Sequence, residues 1–142
     1  MIHKASVLDI FITVCLLIFF LSCADENSPR PVAQKFLDAF QQRDFETAKK
    51  YSTRETIKLL QVYQRISKEK GVELPAKTVE ITSEEIAGER AVVYFKEQGD
   101  DLEQKLVLKK VQVDGENKKQ WRVLLTKDDA GFRRDMKLTQ SP

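Results

Sequence analysis

The sequence predicts an α+β fold in which N-terminal helices pack on one face of a curved, four-stranded antiparallel sheet. Apolar residues recur with a helical period between positions 31 and 71. From position 78 the period changes toward two, and the apolar runs are separated by glycines. The connections between these runs are too short for crossover helices, so neighbouring strands are expected to pair antiparallel as a meander. Helices followed by such strands are typical of the α+β class.

Three helices are predicted in the first half of the chain. Pro31 suits the first turn of the first helix, and Asp44 is expected to cap the second. The segment Ser-Thr-Arg-Glu at 52–55 is a capping box for the third helix, which Gly71 ends in a left-handed conformation. The apolar stripes of the three helices are Val32, Ala33, Phe36, Leu37 and Phe40; then Phe45, Ala48 and Tyr51; then Leu59, Val62, Tyr63 and Ile66.

Four strands are predicted in the second half of the chain. The second is apolar on both faces, so it is expected to be central or partly covered on its second side. In the third, Leu106 and Leu108 share one face, and Lys109 and Lys110 stand where the pattern changes. That change predicts a bulge which curves the sheet. The predicted strands are 78–86, 90–97, 102–113 and 119–127, divided at Gly88, Gly99 and Gly115.

The first 21 residues have the pattern of a targeting segment. A short basic start precedes the apolar run 10–21, whose twelve residues are fewer than the about 20 that a membrane-spanning helix needs. The residues that follow, Ser22 and Cys23, resemble the lipobox of bacterial lipoproteins. The resemblance implies that residues 1–22 are a lipoprotein signal peptide and that Cys23 carries a diacylglyceryl group and a further acyl chain such as palmitate. Two or more chains make membrane attachment stable. An uncleaved signal anchor is the alternative.

The composition of the rest of the chain indicates a tether, a folded domain and a tail. It also excludes several kinds of chemistry. Residues 23–30 form a polar tether with two prolines, 31–127 form the α+β domain, and 128–142 are expected to be a frayed tail. The single histidine, His3, lies in the leader, so the domain has no histidine for general catalysis or zinc binding. The net charge of +2 gives no electrostatic footprint for nucleic acid. No metal site and no cofactor are expected.

Three segments resemble a known family: Val-Ala-Gln-Lys-Phe-Leu-Asp-Ala-Phe at 32–40, Asp-Phe-Glu-Thr-Ala-Lys-Lys-Tyr at 44–51 and Gln-Trp-Arg-Val at 120–123. They look like the small bacterial lipoproteins that carry a lumazine-binding-like domain of unknown function, in the nuclear-transport-factor-2-like superfamily. The resemblance covers about residues 29–127. It implies a cone of helices closing against a curved sheet, with a pocket between them, and pairing of two copies through the sheet. Because that fold hosts enzymes, ligand binders and interaction modules, it does not by itself select a function.

Aromatic residues with polar tips are the candidate ligand contacts. Such side chains can orient a ligand at the mouth of a pocket, although they also occur as core residues with their tips at the surface. The candidates are Tyr51, Tyr63, Tyr94 and Trp121.

A group of lysines has two explanations. Lysines near the third and fourth strands can contact anionic lipid headgroups, or they can protect an edge strand from aggregation. The group consists of Lys105, Lys109, Lys110, Lys118 and Lys119.

The leading functional hypothesis is a non-enzymatic, membrane-anchored envelope lipoprotein that faces the periplasm, with display at the cell surface as the alternative location. Its domain would bind a small apolar or amphipathic molecule or a protein partner. One alternative is a histidine-free isomerase, lyase or hydrolase that pairs a tyrosine with a carboxylate such as Asp38, Asp44 or Glu55. The other is a structural envelope module. A binder or an enzyme needs an open cavity, whereas a structural module predicts a filled interior with Trp121 and Phe95 tightly packed.

Overall fold

A computed structural model of the chain describes residues 25, 27–71 and 76–126. The predicted signal peptide, the lipidation site Cys23 and the predicted tail 128–142 lie outside the described residues. Three helices come first and are followed by four strands, which lie in sequence order in one antiparallel sheet. The α+β class and the meander are therefore confirmed. The elements are α1 (Pro29–Gln41), α2 (Phe45–Lys50), α3 (Arg54–Lys70), β1 (Val79–Ala87), β2 (Arg90–Glu97), β3 (Gln104–Gln112) and β4 (Lys119–Val123).

The sheet curls around helix α1 without closing. Helix α1 contacts all four strands, including both edge strands β1 and β4, so it packs across the concave face of the sheet. From α1, the Arg30 guanidinium donates to the carbonyl of Ile81 at 2.9 Å, and the Gln34 amide donates to the carbonyl of Val79 at 3.4 Å. These bonds fix β1 on the helix. The curled sheet with a helix on its concave face is part of what the family resemblance implies, and the complete cone stays a prediction.

The bulge in the sheet lies in β1 and not in β3. Pairing of β1 with β2 shifts by one residue between Ile81 and Ser83, whereas β3 pairs with β2 and with β4 in unbroken register. The predicted position at Lys109 and Lys110 is therefore wrong. These two lysines follow the ordinary alternation of a strand, and their side chains lie on opposite faces.

The ends of the helices follow local sequence rules. Asp44 caps α2, where its carboxylate accepts a hydrogen bond from the Thr47 backbone N–H at 3.1 Å. Hydrogen bonds from Thr47 hold the pKa of Asp44 below its ordinary value. Gly71 ends α3 with a φ of 58°, a left-handed conformation that glycine adopts without strain. Both predictions are confirmed.

Helix α3 begins one residue later than the predicted capping box. Its cap is Thr53, whose hydroxyl accepts from the Thr56 backbone N–H at 3.3 Å. The hydroxyl of Ser52 instead donates to the carbonyl of Ala48 at 2.7 Å, and so it closes the preceding helix. Both hydroxyl residues can cap, and tertiary bonds to β4 select Thr53.

The buried face of α3 differs from the predicted stripe. Leu60 and Tyr63 are buried, whereas Val62 is 46 % exposed. The inward face includes Thr56, which is fully buried and lies four residues before Leu60. A threonine does not register in an apolar pattern, so the sequence placed the stripe about one position away.

Thr56 joins the helices to the edge of the sheet. Its hydroxyl donates to the carbonyl of Val123 at 2.9 Å and accepts from the backbone N–H of Leu125 at 2.8 Å. The same edge is bonded by the junction before α3, since Val123 N–H donates to the carbonyl of Tyr51 at 2.8 Å and Thr53 N–H donates to the carbonyl of Val123 at 2.9 Å. The outer edge of β4 around Val123 is thus covered, and it cannot pair with another strand there.

We predict that Thr56→Val destabilises the protein by about 1–3 kcal/mol, because valine keeps the shape but leaves the Leu125 N–H without its acceptor. Thr78→Val, at an exposed threonine before β1, is the matched control and is expected to stay within about 0.5 kcal/mol of the parent. Urea denaturation measures both. A Thr56→Val midpoint equal to that of the parent would contradict the proposed contribution of these bonds.

Candidate functional site

Tyr63 lies in an aromatic cluster that joins the three helices. Its ring centre is 5.5 Å from that of Phe40 and 5.7 Å from that of Phe45, and Phe36 stacks on Phe40 at 5.9 Å. Ring pairs at these separations contribute beyond their buried area. Tyr63 itself is buried, so its ring belongs to the helical core.

Trp121 lies on the concave face of β4. It is only 4 % exposed, and its backbone N–H donates to the side-chain oxygen of Asn27 at 3.3 Å. The ammonium of Lys110, on the neighbouring strand, lies 5.2 Å from the centre of its ring, within cation–π range. Phe95 is also buried on the concave face. The structural alternative predicts burial of these two side chains, and both are buried.

The other two predicted tyrosines, Tyr51 and Tyr94, lie outside both the aromatic cluster and the concave face of the sheet. Tyr51 is half-buried at the end of α2, with the ammonium of Lys35 5.9 Å from its ring centre. Tyr94 pairs with Lys105 in the sheet and lies on the face opposite Trp121. The structure therefore does not bring the four predicted aromatic residues together. As ligand contacts they stay a prediction, and no single described surface contains all four.

The carboxylates named for a histidine-free enzyme are exposed. Asp38 accepts a hydrogen bond from the Gln34 amide, and Asp44 caps α2. The pKa of Glu55 is held below its ordinary value by its own backbone N–H and by the Thr53 hydroxyl. A general acid near neutral pH needs the opposite shift. Within the described ranges, the buried polar side chains are hydroxyls that are all hydrogen-bonded: Ser52, Thr53 and Thr56.

Residues 25, 27–71 and 76–126 contain neither a grouped set of metal ligands nor a helix able to cross a membrane. No group of three or more histidine, cysteine, aspartate or glutamate side chains is placed to hold a metal ion there. In those same ranges, none of the helices has both the length and the apolar character needed to cross a bilayer.

The convex face is the side of β2, β3 and β4 that points away from α1. Its middle is a row of directly opposed, half-buried apolar residues, Val92, Val107 and Leu124, in which the Leu124 N–H donates to the carbonyl of Val107 at 2.8 Å. Arginines and lysines flank the apolar residues on each strand, and in β3 the two kinds alternate. The cations are Arg90, Lys96, Lys105, Lys109 and Arg122, and the half-buried apolar residues are Val92, Tyr94, Val107, Val111 and Leu124.

The predicted lysine group is divided by the structure. Lys109 lies where β3 is paired with both β2 and β4, so protection of an edge strand is the wrong explanation for it, whereas Lys105 lies in the part of β3 that is paired with β2. Lys110 points to the concave face, over Trp121. Lys118 and Lys119 lie at the turn and at the start of β4, and Lys119 forms an ion pair with Glu89.

Sequence reasoning missed three cations of the convex face: Arg90, Lys96 and Arg122. The signal that could have found them is the alternation of each strand, which places every second residue on the same face. The Arg122 guanidinium donates to the carbonyl of Trp121 at 2.9 Å and to the side-chain oxygen of Gln120. Burial lowers the pKa of Arg122, partly offset by Glu116, but an arginine remains charged at neutral pH.

Comparison of the chain with protein-family models, with curated proteins and with solved structures finds no significant match. The family resemblance therefore stays a prediction.

We predict that Trp121→Ala lowers the free energy of unfolding by about 3–5 kcal/mol, because it truncates a large buried side chain. Leu102→Ala is the control: Leu102 is 57 % exposed, and its truncation is expected to change stability by about 0.5 kcal/mol or less. Chemical denaturation measures both. A Trp121→Ala shift as small as that of Leu102→Ala would mean that the indole is exposed and available to a ligand.

Proposed function

We propose that the protein is a lipid-anchored lipoprotein of the bacterial cell envelope, facing the periplasm, and that its domain is a non-catalytic module which binds through its outer surface. The proposal has two parts, attachment through Cys23 and the mode of binding, and different observations support them.

The leader supports the first part. Its apolar run is of signal-peptide length and ends at Ser22-Cys23, as in a lipobox. Five residues separate Cys23 from Pro29, where α1 begins, so the chain between them spans at most about 20 Å. The bond between Asn27 and Trp121 attaches this segment to β4. A lipid on Cys23 would hold the domain close to the bilayer.

The packing of α1 on the concave face supports the second part, and this observation carries the proposal. Helix α1 contacts both edges of the sheet, and Trp121 and Phe95 are buried beneath the helical layer. The aromatic residues that would line an internal pocket are dispersed, with Tyr94 on the far side of the sheet. Binding through the outer surface needs no cavity, and half-buried apolar residues are available on the convex face.

Substitution of Cys23 tests the lipid attachment. We predict that Cys23→Ala moves the protein from the membrane fraction to the soluble fraction, or leaves it unprocessed, because the acceptor of the diacylglyceryl group is lost. Cys15→Ala removes the other cysteine and is expected to leave both processing and fractionation unchanged. Intact-mass measurement should detect the acyl chains in the parent and in Cys15→Ala alone. A processed, membrane-bound Cys23→Ala protein would refute the attachment.

Native mass spectrometry tests the mode of binding. The described core runs from Val32 to Val123, so the segment 24–142, exported to a periplasm and purified gently, contains all of it. We predict that this segment has the same mass before and after denaturation. A reproducible extra mass that is released on unfolding would instead favour a carrier of a small apolar or amphipathic molecule, and would overturn binding through the outer surface alone.

A further inference from the structure

The convex face concentrates positive charge, and the acidic side chains that act on it from outside its strands include Glu89 near Lys109 and Glu116 near Arg122. Its outward positions on β2, β3 and β4 carry five cations and no aspartate or glutamate. Over the residues that the structure describes, none of these five forms an ion pair, whereas Lys49, Arg54, Lys77 and Lys119 all do. Within the four strands, acidic side chains reach this side only from β1, with Glu80 and Glu85. The chain as a whole has a net charge of only +2, so this surface is enriched locally.

The positive charge of the convex face also argues against a second copy of the chain as its binding partner. Packing two convex faces together would bring two sets of like charges into a poorly solvated interface, which is costly. An anionic surface is complementary to the same side chains. The long stems of Lys105 and Lys109 can extend their ammonium groups beyond the apolar row while their methylenes cover it.

A lipid on Cys23 would bring this face near a membrane. Asn27 is bonded to the backbone of Trp121, and the next residue in β4, Arg122, is on the convex face. Cys23 is four residues before Asn27, so four residues of extended chain allow up to about 14 Å between the two Cα atoms. This reach exceeds the roughly 10 Å that separates packed layers. A lipid on Cys23 can therefore lie level with the convex face at its β4 edge.

We propose that the convex face is a docking surface for the anionic phospholipid headgroups of the membrane that holds the protein. The arginines and lysines contact the phosphate groups of the lipids. Between these cations, the row of Val92, Val107 and Leu124 lies against the membrane surface. The contact orients the domain, with α1 and the helical layer turned away from the bilayer. The inference relies on the proposed lipid attachment only for nearness to the membrane, since the complementarity belongs to the folded domain.

Vesicle binding tests the inference without the lipid anchor. The segment 24–142 is mixed with vesicles of equal parts phosphatidylglycerol and phosphatidylcholine, or of phosphatidylcholine alone, and the bound fraction is measured by sedimentation. We expect binding to the anionic vesicles only, weakened when the ionic strength rises from about 0.05 M to about 0.5 M. Each cation at an anionic surface contributes about fivefold to affinity, so the double variant Lys105→Glu, Lys109→Glu should lose at least about 25-fold.

A matched variant distinguishes the contribution of the convex face to vesicle binding from the effect of the total charge of the protein. Arg65→Glu, Lys68→Glu makes the same change in charge at exposed positions of α3 and should lose far less affinity. Lys109 is opposite Arg90 and Arg122 in the sheet, so a glutamate there can pair with them and the fold is expected to persist, which circular dichroism checks.

Two outcomes would overturn the inference. One is equal binding to both kinds of vesicle or to neither. That result would favour an acidic protein surface as the partner of the convex face. The other is an equal loss of affinity in the two double variants. Neither outcome bears on lipid attachment, which the fractionation of Cys23→Ala tests separately.

Discussion

The attachment of the α2–α3 junction to the outer edge of β4 is the constraint on which the rest of the structure depends. The backbone of Val123 is bonded by Tyr51, Thr53 and Thr56, and the Thr56 hydroxyl also accepts from Leu125. These bonds use polar groups that would otherwise be buried without partners, so a break costs more than a typical hydrogen bond contributes. They cover an edge that would otherwise be open to another strand, and they fix which face of α3 is buried.

With β4 held by this junction and β1 held by Arg30 and Gln34, the sheet curls around α1. The curl gives the two faces different roles. Apolar side chains on the concave face pack with the helix, whereas the convex face carries cations beside half-buried apolar residues. Strand alternation alone produces this division, because successive side chains point to opposite faces. The inner side of the sheet therefore maintains the fold, and the proposed binding function concerns its outer side.

The candidate site was predictable only in part. Residue type singled out Tyr51, Tyr63, Tyr94 and Trp121, because aromatic rings with polar tips are suited to ligands. Residue type does not indicate which side chains share a face, and the structure places Tyr63 among the helices and Tyr94 outside. The lysines form a cluster in the sequence, yet their division between the two faces of the sheet depends on the register of strand pairing. The larger cationic surface includes Arg90 and Arg122, which are far apart along the chain and become neighbours of Lys109 only through pairing.

Features that depend on local chemistry were determined by the sequence alone. These are the α+β order, the helix starting at Asp44, the left-handed end at Gly71 and the antiparallel meander, since caps and short connections act over a few residues. Tertiary structure decided the features that depend on distant partners. Thr53 and not Ser52 caps α3, because Val123 accepts from it; Val62 is exposed, because the buried Thr56 sets the inward face; and the bulge occurs in β1, where the edge strand meets α1. In each case the local sequence is compatible with more than one arrangement, and contacts across the fold selected one.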